Sequence, residues 1–253
     1  MGAWSTAIAP EEGPRTAQAG RETMSCRADP MTASGQLSRP PAGTFVTAYG
    51  QSLVSVVSRT QRNLFGQLDG TVNPAPAESD FEALLFSDGA EQQWMRGGTS
   101  LVLRRIRMTM NSWEEIDRNS RELSVGRKLD TGAPLTGTDE HDPADFTAMN
   151  EVGLPVIPAE SHIARAHSRN RSETILRRPY NYDDTPQPGE ISNSGLLFAA
   201  YQADPVRQYL PIQQRLAEQD MLNTWTVPIG SAVFAIPPGC QEGGYIGQGV
   251  MEG

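Results

Sequence analysis

Three strand-length apolar runs set the frame of this chain: Thr99 to Met110, Gly195 to Gln202 and Ile229 to Ile236. In the first, Leu101, Leu103, Ile106 and Met108 are interleaved with arginines, an imperfect period of two. The second, with Leu196, Leu197, Phe198, Ala199, Ala200 and Tyr201, reads as a buried strand. So does the third, which stops at Pro237-Pro238-Gly239. A helix is predicted in each interval. Ser112-Trp113-Glu114-Glu115 has capping-box spacing, with Ser112 at the N-cap and Glu115 three residues on. Trp113, Ile116 and Leu123 follow on one helical face. Asp204 to Trp225 also reads as helix, re-starting at Pro211, since proline suits a first helical position. Its apolar contacts are Ile212, Leu216 and Leu222. The order after residue 97 is β-α-loop-β-α-β, which predicts an α+β sandwich of ferredoxin-like type. No run approaches the roughly 20 apolar residues of a membrane helix.

The 253 residues fit one large domain or two small ones. Gly and Pro together number 43 of 253, above the average, so loops are abundant. Residues 1–42 hold Pro, Gly, Ala, Ser and Thr with no period of 2 or 3.6, and read as a disordered or unrelated extension. Arg15, Arg21 and Arg27 are followed by no apolar core, so no secretory signal is recognisable. Residues 43–253 form the patterned region, opening with β-prone pieces between Thr44 and Val57 broken by Gly50. The net charge of −9 argues against a nucleic-acid partner, because phosphate-backbone affinity comes from excess Lys and Arg. Two cysteines, Cys26 and Cys240, form no metal-binding pair pattern, and three histidines (His141, His162, His167) exclude a His-rich metal cluster. If a metal is bound, one histidine must suffice, which points to a metal carried by a cofactor.

Three places could carry chemistry. The segment from Asn63 to Pro74 holds Gly66, an Asp69-Gly70 pair and an Asn73-Pro74 pair, the marks of a tight ordered loop. Asp-Gly in a turn is most often structural, although glycines there let the backbone approach a flat ligand. His162 follows a long polar loop, residues 126–160, and is flanked by Ile163 and Ala164. A lone histidine near a strand is more often a satisfied core or surface residue, yet a neutral imidazole is also the usual proximal ligand of haem iron. His167 is the competitor, and on a strand the two would face opposite sides. Arg177-Arg178 reads either as a solvated basic pair or as a guanidinium aimed at an anion.

These segments together resemble the dye-decolorizing (DyP-type) haem peroxidases. Asn63 to Pro74 is similar to that family's GxxDG loop, and Gly97-Gly98-Thr99-Ser100 with Val102 to Met108 to the strand after it. Gly126-Arg127-Lys128 with Asp130 to Leu135 resembles a further family segment. Ile157 to Ala166 resembles the stretch with the proximal histidine, and Ile175-Leu176-Arg177-Arg178 with Tyr180 and Tyr182 the distal-arginine stretch. Gly195 to Gln202, Val206 to Leu216, Gly230 to Gly239 and Tyr245 to Gly249 match as well. The bacterial subgroup with the deferrochelatase/peroxidases is the nearest in flavour.

The resemblance implies a ferredoxin-like fold of the dimeric α/β-barrel type and haem b as cofactor. It makes His162 the proximal iron ligand, Asp69 the distal proton carrier and Arg177 its neighbour. Leu196 and Phe198 would line the pocket, Gly66 and Gly70 would let the loop approach the cofactor, and Arg165 and Arg127 would meet the propionates. The family orients its proximal imidazole with a carboxylate. Asp220 is the nearest acid in sequence, with Asn223 and Thr224 as other places to look. Tyr180, Tyr182 and Trp225 are the aromatics offered as electron relays. Expected partners are hydrogen peroxide and organic electron donors such as dyes or phenols, with no membrane span and a possible homo-oligomer. The alternatives are iron release from haem, as in a deferrochelatase, and a non-catalytic haem binder. Family members have two ferredoxin-like halves, and most of the first is absent here. A sheet edge and one core face are therefore expected to be exposed. The sequence names no compartment.

Overall fold

The computed structural model describes residues 45–46, 52–53, 62–68, 70, 73–186, 188 and 192–252. Two short strands, β1 (Phe45–Val46) and β2 (Ser52–Leu53), pair antiparallel. After them come helix α1 (Phe81–Leu85), strand β3 (Thr99–Met108), and helices α2 (Met110–Glu115) and α3 (Arg118–Val125). A long loop leads to the short helix α4 (His162–Ala166) and to strands β4 (Leu176–Arg177), β5 (Tyr180–Asp184) and β6 (Asn193–Gln202). Helix α5 (Tyr209–Gln219), strand β7 (Thr226–Ile236) and a last turn of helix, α6 (Gln248–Met251), complete the order. Among the described residues no helix is long and apolar enough to cross a membrane.

The five later strands form one antiparallel sheet in the order β4-β6-β3-β7, with β5 also on β6. Read along the chain this is β-α-β-β-α-β, the ferredoxin-like arrangement and an α+β fold. The sequence reading lacked one strand of that set, the interrupted β4/β5 stretch. Pro179 splits it, and Tyr-Asn-Tyr-Asp-Asp has no apolar alternation to mark it.

Two helix boundaries also differ from expectation. Ser112 lies inside α2 rather than at its cap. Its hydroxyl donates back to the Thr109 carbonyl at 3.2 Å, and Thr109 is the N-cap. The capped helix is the next one, where the Asp117 carboxylate accepts the Ser120 amide at 3.0 Å. Helix α5 is shorter than Asp204–Trp225 and begins two residues before Pro211. Proline is tolerated there because the amides of the first turn have no intrahelical acceptor.

Residues paired across strands share a face of the sheet. Val102 pairs with Ala200, Arg104 with Phe198, and Ile106 with Leu196. The helices cover this face in two separate core clusters. One joins Phe65, Met108, Trp113, Val125 and Leu222, with Leu196 against it. The other joins Ile175, Ala200 and Ile212, with Phe198, Tyr209 and Leu216 against it. Strand β6 thus runs from one cluster into the other. Leu196, Phe198 and Ile106 between them are half-buried.

Candidate active site

His162 is the first residue of α4, not part of a strand. The expectation that His162 and His167 face opposite sides of a strand is therefore overturned. His167 is the C-cap of the same short helix, and its Nδ1 donates to the Ala164 carbonyl at 2.8 Å. The His162 Nδ1 lies 2.7 Å from Asp220 Oδ2. Asp220 is 5% exposed in its side chain, whereas His162 is 36% exposed. The other carboxylate oxygen, Oδ1, accepts the Leu222 amide at 3.0 Å, so both oxygens are committed. A carboxylate on Nδ1 fixes the tautomer: Nδ1 carries the proton and Nε2 keeps its lone pair for a ligand. Of the three places the sequence suggested, Asp220 is the one against His162. Asn223 instead donates its side-chain amide to the Leu216 carbonyl at 2.8 Å.

Local backbone contacts hold this pair in place. The Met221 amide donates to the Glu160 carbonyl at 2.9 Å, locking the end of α5 to the start of α4. Gly126, the left-handed C-cap of α3 (φ 88°), closes the other side. A Cβ there would stand 2.6 Å from Ile163 Cγ1 and 3.0 Å from Ser161 Oγ. Ser161 and Ile163 flank His162, so this glycine sets how near α3 comes to the imidazole segment.

The Asn63–Pro74 loop approaches the sheet from the other end. Phe65 is buried and stacks on Trp113, with ring centroids 4.3 Å apart, and the Trp113 indole N–H donates to the Phe65 carbonyl at 3.2 Å. Gly70 has φ 53°, its amide donates to Glu140 Oε1 at 3.2 Å, and its carbonyl accepts from Arg127 at 3.4 Å. Asn73 then clamps the backbone of Arg177. The Arg177 amide donates to Asn73 Oδ1 at 2.8 Å, and Asn73 Nδ2 donates to the Arg177 carbonyl at 2.9 Å. Asp69 itself lies outside the described residues; its neighbour Gly70 is held by Glu140 and Arg127, and Asn73 ties the loop to the Arg177 strand.

Arg177 pairs with Ala200 and Asn181 with Leu196. Arg177, Asn181, Leu196, Phe198, Ile106 and Arg104 therefore share the helix-covered face. Asn73, Asn181, Ile106 and Arg104 were not among the sequence candidates. Asn73 carried a signal, its place in the loop motif, whereas the other three become visible only through strand register.

The two remaining arginines have other surroundings. Arg127 is 7% exposed, and its guanidinium donates to the carbonyls of Gly132 (2.6 Å), Glu140 (2.9 Å) and Gly70. Those contacts make it a strut between two loops. Arg165 donates to Gln219 Oε1 and borders a cleft whose walls include none of His162, Arg177, Leu196 or Phe198. Tyr182 is buried under the Arg105 guanidinium, 4.3 Å from its ring centroid, and Trp225 packs edge-on against Trp113 at 5.1 Å. Among the described residues no group of three or more His, Cys, Asp or Glu side chains could hold a metal ion.

Comparisons with known proteins bear on the family and the fold. Residues 60–241 match the family model described as Dyp-type peroxidase, C-terminal. A dye-decolorizing peroxidase of Thermobifida fusca is 42% identical over 199 residues, covering 77% of this chain and 46% of that protein. A deferrochelatase of Yersinia pestis is 31% identical over 201 residues, covering 76% of this chain and 45% of that one. The crystal structure of a DyP-type peroxidase from Cellulomonas bogoriensis superposes with a TM-score of 0.72 at 52% identity, over 76% of this chain and 53% of that one. The chain spans about half the length of the curated relatives it matches. It belongs to the DyP-type peroxidase family, whose C-terminal region it carries.

Proposed function

We propose that this chain forms the haem-binding part of a peroxidase that reduces hydrogen peroxide and oxidises organic donors. The observation that carries this reading is the His162–Asp220 pair, with Nδ1 engaged at 2.7 Å and Nε2 left to a ligand. The residues present suit haem b. A half-exposed imidazole stands on the helix layer, and the helix-covered sheet face carries half-buried apolar side chains between two core clusters. These are groups that a flat apolar ring system would use, and a lone neutral imidazole is the usual fifth ligand. When bound, haem supplies the redox-active iron and the porphyrin that accept and pass electrons.

The chain's own groups then divide the work. His162 Nε2 would hold the iron, and Asp220 keeps the ring oriented and electron-rich through Nδ1. Arg177 sets a permanent positive charge on the sheet face, where it would hold peroxide and the anion that develops as the O–O bond breaks. Asp69 would take the proton from one peroxide oxygen and return it to the leaving oxygen, which departs as water. Leu196 and Phe198 keep bulk water and bulky donors off that face. Large dyes would then be oxidised through aromatics nearer the surface, for which the half-buried Tyr180 and Trp225 stand as candidates, with the buried Tyr182 as a relay between protein and cofactor. Gly66 and Gly70 are the points at which the Asp69 loop comes close without side chains.

Added haemin is expected to give the purified chain a Soret band typical of histidine ligation, and His162→Ala to abolish it. In the loaded protein Arg177→Leu should lower peroxide-dependent dye oxidation by about 100-fold while leaving the band in place. A wild-type band no different from free haemin, or one unaffected by His162→Ala, would overturn the assignment. The higher identity to the peroxidase than to the deferrochelatase, 42% against 31%, favours peroxide chemistry over iron release. Iron-free protoporphyrin accumulating without peroxide would reverse that order.

A further inference from the structure

Beside the end of α4 lies a cleft of about 220 Å³. Phe146, Pro155 and Ile157 form its apolar walls, and Arg165, His167 and Arg169 supply its polar groups. No acidic side chain lines it. The nearest carboxylate on this segment, Glu173, is already committed. It accepts the Arg169 amide at 3.1 Å, the Asn170 side-chain amide at 3.2 Å and the Arg215 guanidinium at 2.8 Å. Arg165 reaches only a neutral acceptor, Gln219 Oε1. Its Nε is buried with no hydrogen-bond partner among the described residues. The His167 ring is stacked on Phe146, with centroids 4.3 Å apart and planes 19° from parallel. With Nδ1 spent on the Ala164 carbonyl, its second nitrogen is unused by that bond. Two guanidinium groups and an imidazole thus gather over an apolar floor in a chain of net charge −9.

We propose that this cleft binds a one-ring aromatic carboxylate. The floor offers apolar contact to a ring, and guanidinium groups pair with carboxylates through parallel N–H donors. Inorganic phosphate would leave the Phe146, Pro155 and Ile157 walls unused. The volume is below the roughly 300–1,000 Å³ of sites for drug-sized ligands, so a single ring fits and a multi-ring dye does not. Binding is independent of haem. The further role, as a docking place for a phenolic acid donor, rests on the peroxidase reading, because α4 begins at the proposed iron ligand His162.

The test titrates the full haem-free chain with benzoate and with its neutral isostere benzamide, by calorimetry and by the NMR shifts of the His167 ring. Benzoate should saturate, shift the His167 signals and bind at least about tenfold more tightly than benzamide, as expected for losing one charge-assisted pairing. Arg169→Ala should weaken it by about fivefold or more. That side chain is exposed, so the variant is expected to keep its circular dichroism spectrum. Phe146→Leu should weaken benzoate and benzamide alike. Equal affinity for the two ligands, unchanged affinity in Arg169→Ala, or no saturable binding to the wild type would each overturn the site. None of these readouts uses haem or peroxide, so their failure leaves the peroxidase reading untouched, and the reverse holds.

Discussion

An imidazole that is to hold a metal through one nitrogen needs the other engaged, and His162 meets this through Asp220. The carboxylate pulls on the Nδ1 proton and makes Nε2 a stronger donor, which would favour the more oxidised state of an iron held there. Asp220→Asn should weaken haem retention, because a single amide oxygen cannot accept both the His162 Nδ1 proton and the Leu222 amide. It should raise the iron reduction potential, read by spectroelectrochemistry; an unchanged potential would leave Asp220 a purely structural cap. Gly126 makes a second residue-scale case. An alanine there must adopt a left-handed conformation, at a cost of about 1–2 kcal/mol, and its methyl would overlap Ile163. Gly126→Ala is therefore expected to lower thermal stability and also to weaken haem retention, since the displaced segment contains His162. Residue type alone leaves His167 in competition, and the resemblance of the Ile157 to Ala166 stretch to a family segment is what makes His162 a candidate from sequence. Its carboxylate partner lies 58 residues away and needed the fold to be picked from three neighbours.

Elements were legible where pattern and length agreed. Strands β3, β6 and β7 carry apolar runs with clear stops, and the structure sets them side by side. Helix α4 has five residues, too few for a 3.6-residue period to emerge from the sequence. The β4/β5 stretch was missed because its stability comes from pairing with β6 rather than from its own composition. Pairing also explains why Arg104, Ile106 and Asn181 escaped notice as site neighbours. One ion pair joins the elements below α4: Arg215 of α5 to Glu173, with side chains 12% and 11% exposed. Burial pushes the Glu173 carboxyl up, but the Arg169 amide and the Arg215 guanidinium outweigh it and hold it below its ordinary value of 4.5. A carboxyl depressed on folding contributes stability above its unfolded value, and that stability is lost as pH falls through the folded one. The melting temperature should therefore drop as acid takes the pH below about 4.5. Glu173→Gln should flatten that drop. At neutral pH it should cost about 1–2 kcal/mol, because Arg215 loses its charged partner but keeps the carbonyls of Arg165 and His167.

At the scale of the molecule, both core clusters lie on one face of the sheet, and among the described residues neither cluster reaches the other face. Leu101, Tyr201 and Phe234 lie in register across that second face, beside Leu103 and Ala199. Strand β7 ends the sheet order, and its 11 residues include no charge. Val233 is 62% exposed on the helix-side face and Phe234 48% exposed on the other. An uncharged edge strand with apolar side chains on both faces is a template for pairing with another chain, the situation natural edges blunt with lysine, proline or cover. Pro228 sits near one end of β7, so the stretch from Gly230 to Ile236 keeps its donors for a partner. The isolated chain should therefore associate as concentration rises, with the sedimentation coefficient increasing across the micromolar range. Val233→Lys and Phe234→Lys should each suppress that rise, because either charge would be desolvated by a neighbouring strand. If neither substitution changes it, association runs through another surface, and β7 is tolerated as a bare edge. If both do, the face proposed for haem and the associating edge share one sheet. The lysine variants would then have to be loaded with haem to learn whether covering β7 also steadies the face that carries Leu196 and Phe198.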